Sequence, residues 1–260
     1  EYIFFFAVFL TVLFLVTKTK IAKAKHIIIA GSIIFYGYAG IMYICVLLFT
    51  CIIDFIISRR IVYHYKNETY KRFLMCISII YNMSVLIFFK YIAFISDIIN
   101  DVIGIKYVLP YWYNDILIPL GISFFTFQSI AFVIDVKNGR FNANINILDY
   151  IAFLSFFPQL IAGPISRAGQ LLPKLNNRIS FTSGYWLLGL EAIVFGFLLK
   201  TVLADNLGRY VNLAYEFSSE LTAMQAMLAI LFFTFQIYCD FFGYCLIGIG
   251  SALMMGIKLP

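Results

Sequence analysis

Residues 153–167 read FLSFFPQLIAGPISR, an apolar stretch that two prolines and a glycine interrupt. Pro158 removes a backbone hydrogen-bond donor, and the pair Gly163-Pro164 stops a helix. Backbone polar groups freed in this way are tolerated at membrane depth only where protein or a watery cavity covers them. The stretch therefore predicts an irregular, re-entrant segment that lines a cavity facing the cytoplasm.

The whole chain has the composition of a membrane protein. Its 260 residues are 63% hydrophobic and 12% charged, and the mean hydropathy is +0.94. Soluble domains average about 45–50% apolar and about 25% charged residues, so lipid must be the solvent for most of this chain. We predict an all-α polytopic membrane protein: one transmembrane domain over residues 1–260, a helix bundle with a re-entrant segment around a funnel-like cavity.

The net charge of +6 does not indicate a nucleic-acid partner, because the basic residues cluster between apolar runs. That distribution is typical of cytoplasmic loops. The clusters lie at 18–25 (KTKIAKAK), at 59–72, at 137–140, and after the opening stretch at Arg167, Lys174 and Arg178. The apolar run 2–16 precedes the first cluster, which reverses the order of a signal peptide and predicts a retained span with its N-terminus outside.

These clusters set the expected crossings. As one helix, residues 27–57 would be about 46 Å long at 1.5 Å per residue, too long for a core of about 30 Å, so we expect a short hairpin that turns near Gly40. The other predicted elements are an outward span (73–96), an external loop (97–115) containing Pro110 and Trp112, an inward span (116–136), the re-entrant segment (147–165), and a second outward and inward pair (184–204 and 221–243).

Polar and ionisable side chains within apolar spans are site candidates, because they are costly there. Gln236, Asp240 and Tyr244 follow at i, i+4 and i+8 and share one helix face. Such a stripe faces either a substrate passage or a hydrogen-bonded seam between helices, and the sequence favours neither. Gln128 and Asp135 also share a face, and we interpret Asp135 as a solvated interfacial carboxylate.

Four further charges lie in or near the spans. Lys90 and Glu191 lie deep within them, where either could be half of a buried ion pair, or Lys90 could snorkel. Asp54 and Lys200 lie near span ends, where snorkelling or an interfacial cap explains them.

The chain's own residues offer no catalytic constellation. It has no GxSxG, P-loop, GxGxxG or HExxH motif. His26 and His64 lie in the basic loops, whereas a catalytic imidazole is usually sheltered and oriented by its neighbours. The five cysteines are interpreted as buried thiols rather than disulfides or metal ligands. We therefore predict no metal site and no bound cofactor.

Four segments then occur in a familiar order: IPLGISFFTFQSIAFVIDVKNG (118–139), LDYIAFLSFFPQLIAGPISR (148–167), GFLLKTVLADNL (196–207) and QIYCDFFGY (236–244). With DFIISRRI (54–61) and FFKYIAF (88–94), they resemble the membrane-bound O-acyltransferase family in its alginate O-acetylation branch. The resemblance covers nearly the whole chain.

The resemblance implies a multi-pass protein of the bacterial inner membrane. Such a protein would move an acyl group, expected to be acetyl, from a cytoplasmic thioester donor (acyl-CoA or an acyl carrier) to hydroxyls of an extracytoplasmic polysaccharide, with a periplasmic glycan-modifying partner. The family's histidine base lies beyond the point that matches Pro260, so we expect an N-terminal portion without catalytic residues that is inactive alone. Two alternatives stay open: a transporter or permease, which suits broken helices and intramembrane charges, and a non-catalytic membrane scaffold.

The candidate substrate passage consists of Gln128, Pro158, Gln159, Gly163, Pro164, Arg167, Gln236, Asp240 and Tyr244. Arg167 either meets donor phosphates or anchors its loop as an ordinary positive-inside residue. The family pattern near residue 240 reads Asp-Phe-Ser-Gly-Tyr-Ser-Asp, and this chain departs from it at Phe242, Cys245 and Leu246. The local passage is therefore less polar, and alginate, cellulose, peptidoglycan and teichoic acid all stay open as acceptors.

Overall fold

The structure is a computed structural model that describes residues 2–19, 24–64, 66–104, 118–141, 145–160, 163–177 and 181–260. Helices are the only regular elements in these ranges. Four of the described helical stretches, 41–63, 68–102, 183–216 and 223–254, are long and apolar enough to cross a membrane. The all-α polytopic prediction is thereby confirmed. The predictions for Pro110, Trp112 and Arg178 lie outside the described residues.

The described helices, in chain order, are α1 Tyr2–Thr19, α2 Ala24–Ala39, α3 Ile41–Tyr63, α4 Glu68–Leu86, α5 Ile92–Ile103, α6 Ile122–Lys137, α7 Ile147–Leu154, α8 Phe157–Leu160, α9 Ala168–Asn176, α10 Ser183–Phe197, α11 Asp205–Glu216 and α12 Ala223–Met254. A π-helical turn, Ile87–Tyr91, joins α4 to α5, and a second, Leu198–Ala204, joins α10 to α11. Each pair therefore continues as one long helix. A short 3₁₀ turn, Ser218–Glu220, precedes α12.

The helices form two compact units. The terminal unit consists of residues 1–24, 161–165 and 177–260, and the central unit consists of residues 25–160 and 166–176. The expectation that residues 1–260 form a single domain stays a prediction.

The central unit is built around α3, α4 and α6, which pack against one another, while α7 packs on α3 and α6, and α9 packs on α7. Its core is aromatic. Phe132, Tyr150 and Phe153 are fully buried, and the ring centroids of Phe132 and Tyr150 are 4.5 Å apart. A capping box formed by Asn146 and Asp149 starts α7 and so fixes where Tyr150 and Phe153 enter the core.

The long apolar run 27–57 breaks at Gly40, as predicted, but it does not form a tight hairpin. Gly40 has φ +156°, and a Cβ there would lie 2.7 Å from the Tyr43 ring, so only glycine fits. Among the described residues, α2 and α3 do not pack side by side. One residue between two helices bends the chain, whereas antiparallel helices need a loop of about 2–5 residues. The second half of the run is a candidate span by itself, Ile41–Tyr63.

In its described residues, 153–160 and 163–167, the opening stretch is irregular, as its prolines and glycine predicted. Helix α7 ends at Leu154, α8 is only four residues long, and residues 163–167 are not helical. Pro158 lies in the first turn of α8, where its missing N–H costs no helical hydrogen bond. The backbone N–H of Phe157 donates to the Ser32 hydroxyl, at 3.3 Å. The irregular backbone up to Leu160 is thus buried in protein, whereas its entry from the cytoplasmic side stays a prediction.

The terminal unit holds α10 and α12 together through four glycines. Gly189 lies against Gly250, and Gly196 lies against Gly243, so the two helices run antiparallel. A Cβ on Gly196 would come within 2.6 Å of the Gly243 carbonyl oxygen, and one on Gly250 within 2.5 Å of the Gly189 oxygen. Small residues let membrane helices approach this closely and gain packing energy that lipid cannot supply.

Candidate functional site

The polar stripe on α12 meets a lysine that comes from the π turn 198–204. The Nζ atom of Lys200 lies 2.7 Å from Oδ1 of Asp240 and 2.7 Å from Oδ1 of Asp205. It also lies 5.3 Å from the centre of the Tyr244 ring. One ammonium, two carboxylates and an aromatic face are therefore gathered along helices apolar enough to span a membrane. We call Lys200, Asp205, Gln236, Asp240 and Tyr244 the charged cluster.

The glycine contact between α10 and α12 positions the lysine. A Cβ on Gly243 would lie 3.2 Å from the backbone nitrogen of Lys200, so the bare glycine lets the π turn approach α12 one helical turn from Asp240. Single π turns within α-helices occur frequently at functional sites. The prediction that Lys200 is an interfacial cap or snorkels at a span end is wrong, because the helix continues to Glu216 and the ammonium pairs with α12.

Gln236 supplies an unused hydrogen-bond acceptor at the same cluster. Its side-chain Oε1 is buried and has no hydrogen-bond partner among the described residues. Gly208 of α11 leaves room for the side-chain nitrogen of Gln236, which would lie 2.8 Å from a Cβ at residue 208. The Asp240 side chain keeps 39% of its surface exposed beside Lys200. Carboxylate oxygens accept hydrogen bonds, so the exposed part of the Asp240 carboxylate can accept one from a hydroxyl group.

The three departures from the family pattern do not extend the polar stripe. Leu246 packs against the apolar cluster of Leu199, Ala204 and Cys239. Cys245 is buried and Phe242 is exposed. These three positions therefore add no polar group to the stripe of Gln236, Asp240 and Tyr244.

In the central unit, two predicted passage residues fasten the irregular segment. The buried Gln128 of α6 donates through Nε2 to the carbonyl oxygen of Phe153, at 3.4 Å. The buried Gln159 accepts a hydrogen bond of 2.8 Å from the Ser166 hydroxyl. These bonds give both side chains a structural role in holding the chain on either side of its interruption.

Arg167 also has a partner in the central unit. Its Nη1 lies 3.3 Å from Oδ1 of Asp135, and Nη1 of Arg140 lies 3.9 Å from the same oxygen. Asp135 is buried, so the interpretation of it as a solvated interfacial carboxylate is wrong: the two arginines compensate its burial. The Arg167 side chain is 58% exposed, so part of its five-donor guanidinium faces outward.

The structure thus distributes the nine predicted passage residues over both units. Gln236, Asp240 and Tyr244 come together in the terminal unit, which also contains Gly163 and Pro164. Gly163 is buried and Pro164 is partly buried. Gln128, Pro158, Gln159 and Arg167 belong to the central unit.

A buried network around Asp54 was missed by the sequence reasoning. Asp54 is 0% exposed and accepts hydrogen bonds from Ser78 (2.5 Å), from Asn82 (2.8 Å) and from Ser129, whose hydroxyl also lies 2.6 Å from the Tyr150 hydroxyl. The network ties α3, α4, α6 and α7 together, so the interfacial interpretation of Asp54 is wrong. The available signal was the pair Ser78 and Asn82, which are four residues apart on an apolar helix and so share a face.

Neither Lys90 nor Glu191 is half of a buried ion pair among the described residues. Lys90 is exposed, lies 3.4 Å from the Ser123 hydroxyl and stands 5.4 Å over the ring of Tyr91. Glu191 is exposed on α10. Of the two histidines, His26 is exposed, and His64 contacts two tyrosine rings edge-on.

A cavity of about 550 Å³ lies in the central unit where α3 ends, α4 begins and α6 ends. Its charged lining residues are Glu68, Lys71 and Lys137, and none of the nine predicted passage residues lines it. The basic clusters 59–72 and 137–140 thus meet at one end of the unit, as a common cytoplasmic side requires. We call the cavity lined by Glu68, Lys71 and Lys137 the basic cavity.

The fold and the charged cluster define a class: a polytopic helical membrane protein with polar and charged side chains gathered between its apolar helices. Residues 141–259 match the family model described as "MBOAT, membrane-bound O-acyltransferase family". The chain belongs to the membrane-bound O-acyltransferase family, which confirms the resemblance seen in the sequence.

Curated relatives show the same likeness. The chain is 30% identical over 259 residues to the peptidoglycan O-acetyltransferase of Helicobacter pylori, and the aligned region covers 90% of this chain and 48% of that protein. It is 32% identical over 233 residues to the "Probable alginate O-acetylase AlgI" of Pseudomonas aeruginosa, with 89% and 44% covered. It is 24% identical over 143 residues to the teichoic acid D-alanyltransferase of Bacillus subtilis, with 54% and 36% covered. The chain spans about half the length of these relatives or less.

Proposed function

We propose that this chain is part of an O-acyltransferase of the bacterial inner membrane. It moves an acyl group, which we take to be acetyl, from a cytoplasmic thioester donor to hydroxyls of an extracytoplasmic polysaccharide. The observation that carries the proposal is the family match over residues 141–259, because that region includes both the irregular stretch 153–167 and the charged cluster. The names of three relatives refer to peptidoglycan, alginate and teichoic acid, and they support a glycan or related polymer as acceptor.

The proposed reaction is an ordinary acyl transfer. The acceptor hydroxyl oxygen attacks the thioester carbonyl carbon, the carbon–sulfur bond breaks, and the hydroxyl proton leaves with the thiol. We assign no catalytic residue to this chain. Its contribution is the charged cluster, where Asp240 and Gln236 offer hydrogen-bond acceptors to a hydroxyl crossing an apolar environment. Lys200 offsets the charge of Asp240 and fixes its position.

The test of this role is Asp240→Asn in the full-length gene product, with ester-linked acetyl on the cell's polysaccharide as the readout. Hydrogen bonds to charged groups contribute about 1.5–3 kcal/mol, so we expect acetylation to fall at least about tenfold, which corresponds to about 1.4 kcal/mol. Asp97→Asn is the matched control, because Asp97 is an exposed carboxylate on α5. Equal protein levels with unchanged acetylation in Asp240→Asn would remove the cluster from the mechanism.

Arg167 is proposed to meet the phosphates of the donor at the cytoplasmic end. The matched pair is Arg167→Ala and Arg140→Ala, because both arginines approach the same Asp135 carboxylate. We expect only Arg167→Ala to raise the KM for the thioester donor. If both variants keep the KM of the parent protein, Arg167 is only an anchor of its loop.

The proposal includes a periplasmic glycan-modifying partner and no nucleic acid. Co-purification of the tagged full-length protein from crosslinked cells tests the partner. Sealed vesicles containing the protein separate the alternatives: solute flux without acyl transfer would replace the proposal by a permease, and partner binding with neither activity would replace it by a scaffold.

A further inference from the structure

We propose that the basic cavity of the central unit is a phosphate-binding site. It lies at the meeting point of two segments whose charge predicts the cytoplasmic side, 59–72 and 137–140. The inference goes beyond acyl transfer and does not depend on it, because the site is in the central unit and its test measures binding alone.

The charges of the lining favour an anion. The charged lining residues are two lysines and one glutamate, which leaves a net charge of +1. The side chains of Lys71 and Lys137 are only 12% and 18% exposed. Ammonium groups that are largely withdrawn from water attract an anion more strongly than exposed ones do.

Glu68 shows how an anion would lie between the lysines. One of its carboxylate oxygens is 2.5 Å from Nζ of Lys71, and the other is 3.9 Å from Nζ of Lys137. A phosphate group, with more oxygens and more charge, can bridge the same two ammonium groups. Glu68 is 59% exposed, so it can yield its place without opening the core. It therefore competes with the ligand that we propose.

The surroundings of the lysines fit a phosphate that carries an apolar attachment. Helix α4 begins at Glu68, with Asn67 as its N-cap, so the partial positive charge of a helix start faces the same place. Ile61 and Phe141 also line the cavity and add apolar surface to it. Basic pockets between membrane helices on the cytoplasmic side are a known setting for anionic lipid head groups. A soluble phosphate ligand shares that chemistry.

The test uses the full-length protein purified in detergent and two probes. Phosphatidylglycerol, with phosphatidylcholine as the uncharged comparison, represents the lipid source and is counted by native mass spectrometry. Inorganic pyrophosphate represents the soluble source and is titrated calorimetrically. At about 1 kcal/mol for each basic residue, the double variant Lys71→Gln/Lys137→Gln should bind its probe about 25-fold more weakly. Glu68→Gln should bind it about fivefold more tightly.

Arg59→Gln is the control, because Arg59 is an exposed cation near the same end of α3 that does not line the cavity. The expected order of affinity with phosphatidylglycerol identifies a lipid site, and the same order with pyrophosphate identifies a soluble ligand. A gain of affinity in Glu68→Gln cannot come from misfolding. The proposal is overturned if neither probe follows this order, if Glu68→Gln weakens binding, or if Arg59→Gln weakens binding as much as the double variant.

Discussion

Substituting Gly196 by alanine should push α10 and α12 apart. The new Cβ would lie 2.6 Å from the carbonyl oxygen of Gly243 and 3.0 Å from the backbone nitrogen of Ile247. An ordinary carbon–oxygen contact in a close helix pair is about 3.3–3.6 Å. The obstacle is backbone, which cannot rotate away, so the helices must separate by roughly 0.7 Å or more to restore that contact.

The net effect is the difference between two opposing terms. Overpacking a well-fitted interface costs about 1–3 kcal/mol, while replacing a helical glycine by alanine gains about 0.5–1 kcal/mol. Taking the middle of each range, we therefore expect Gly196→Ala to lower the free energy of unfolding by about 1 kcal/mol. The measurement is unfolding in mixed micelles with increasing sodium dodecyl sulfate, followed by circular dichroism.

Gly184→Ala on the same helix is the control, because a Cβ at Gly184 would meet nothing within 4 Å. It should be neutral or slightly stabilising. The double variant Gly189→Ala/Gly196→Ala should cost less than the sum of the single variants, since both residues contact α12 and neighbouring sites are not additive. A Gly196→Ala protein as stable as its parent would refute the close glycine contact.

Three further predictions concern the central unit. Asp54→Ala removes the acceptor of three buried donors, although Asn82 also donates to the backbone oxygen of Ser78 and the Ser129 hydroxyl keeps the Tyr150 hydroxyl as a neighbour. A buried donor left without an acceptor costs about 1–3 kcal/mol, so unfolding should become easier by at least about 1 kcal/mol, and Asp54→Asn should reduce this loss. Equal losses in the two variants would contradict the network. In Gly121→Ala a residue at φ +68° also places its Cβ against the carbonyl oxygen of Leu160, whereas in Gly104→Ala the φ is +70° but the Cβ meets open space. The melting temperature should therefore fall further in Gly121→Ala than in Gly104→Ala. Equal shifts in the two variants would exclude the contact with Leu160. Burial raises the pKa of Asp149, but hydrogen bonds from Lys25 and from a backbone amide outweigh it and leave the pKa below its ordinary value. The stability from this pair is present above the ordinary pKa of about 3.9 and is lost as the pH falls through the lowered pKa. Lys25→Met should therefore lower the melting temperature more at pH 7 than at pH 3, and equal loss at both would show that the ion pair contributes nothing.

The protein class and the breaks in its helices could be predicted from local sequence. The apolar composition predicts that lipid surrounds most of the chain. Gly40 and the pair Gly163-Pro164 predict helix breaks at their own positions. The stripe Gln236, Asp240 and Tyr244 also follows from helical period alone. These features need no knowledge of which helix lies beside which.

The partners of the charged residues depend on helix pairing and on helix length. Lys200 was placed at a span end because the helix was expected to stop at residue 204, yet the π turn carries it on to Glu216. Asp54 was placed at an end because its run was expected to stop at residue 57, yet α3 continues to Tyr63. In both cases the helix continues past the charge, and a neighbouring helix supplies its partner: α12 for Lys200 and α4 for Asp54.

Gly243 connects the packing of the terminal unit with its charged cluster. A Cβ there would lie 2.8 Å from the Gly196 carbonyl oxygen and 3.2 Å from the Lys200 nitrogen, so the same missing side chain closes the helix pair and admits the π turn. Lys200 reaches Asp240, one helical turn before Gly243, at 2.7 Å, and a shift of about 1 Å between the helices would take the two atoms beyond the distance of a hydrogen bond. Because charges within apolar membrane helices are costly without a close partner, the glycine seam supports the charged cluster as well as the fold.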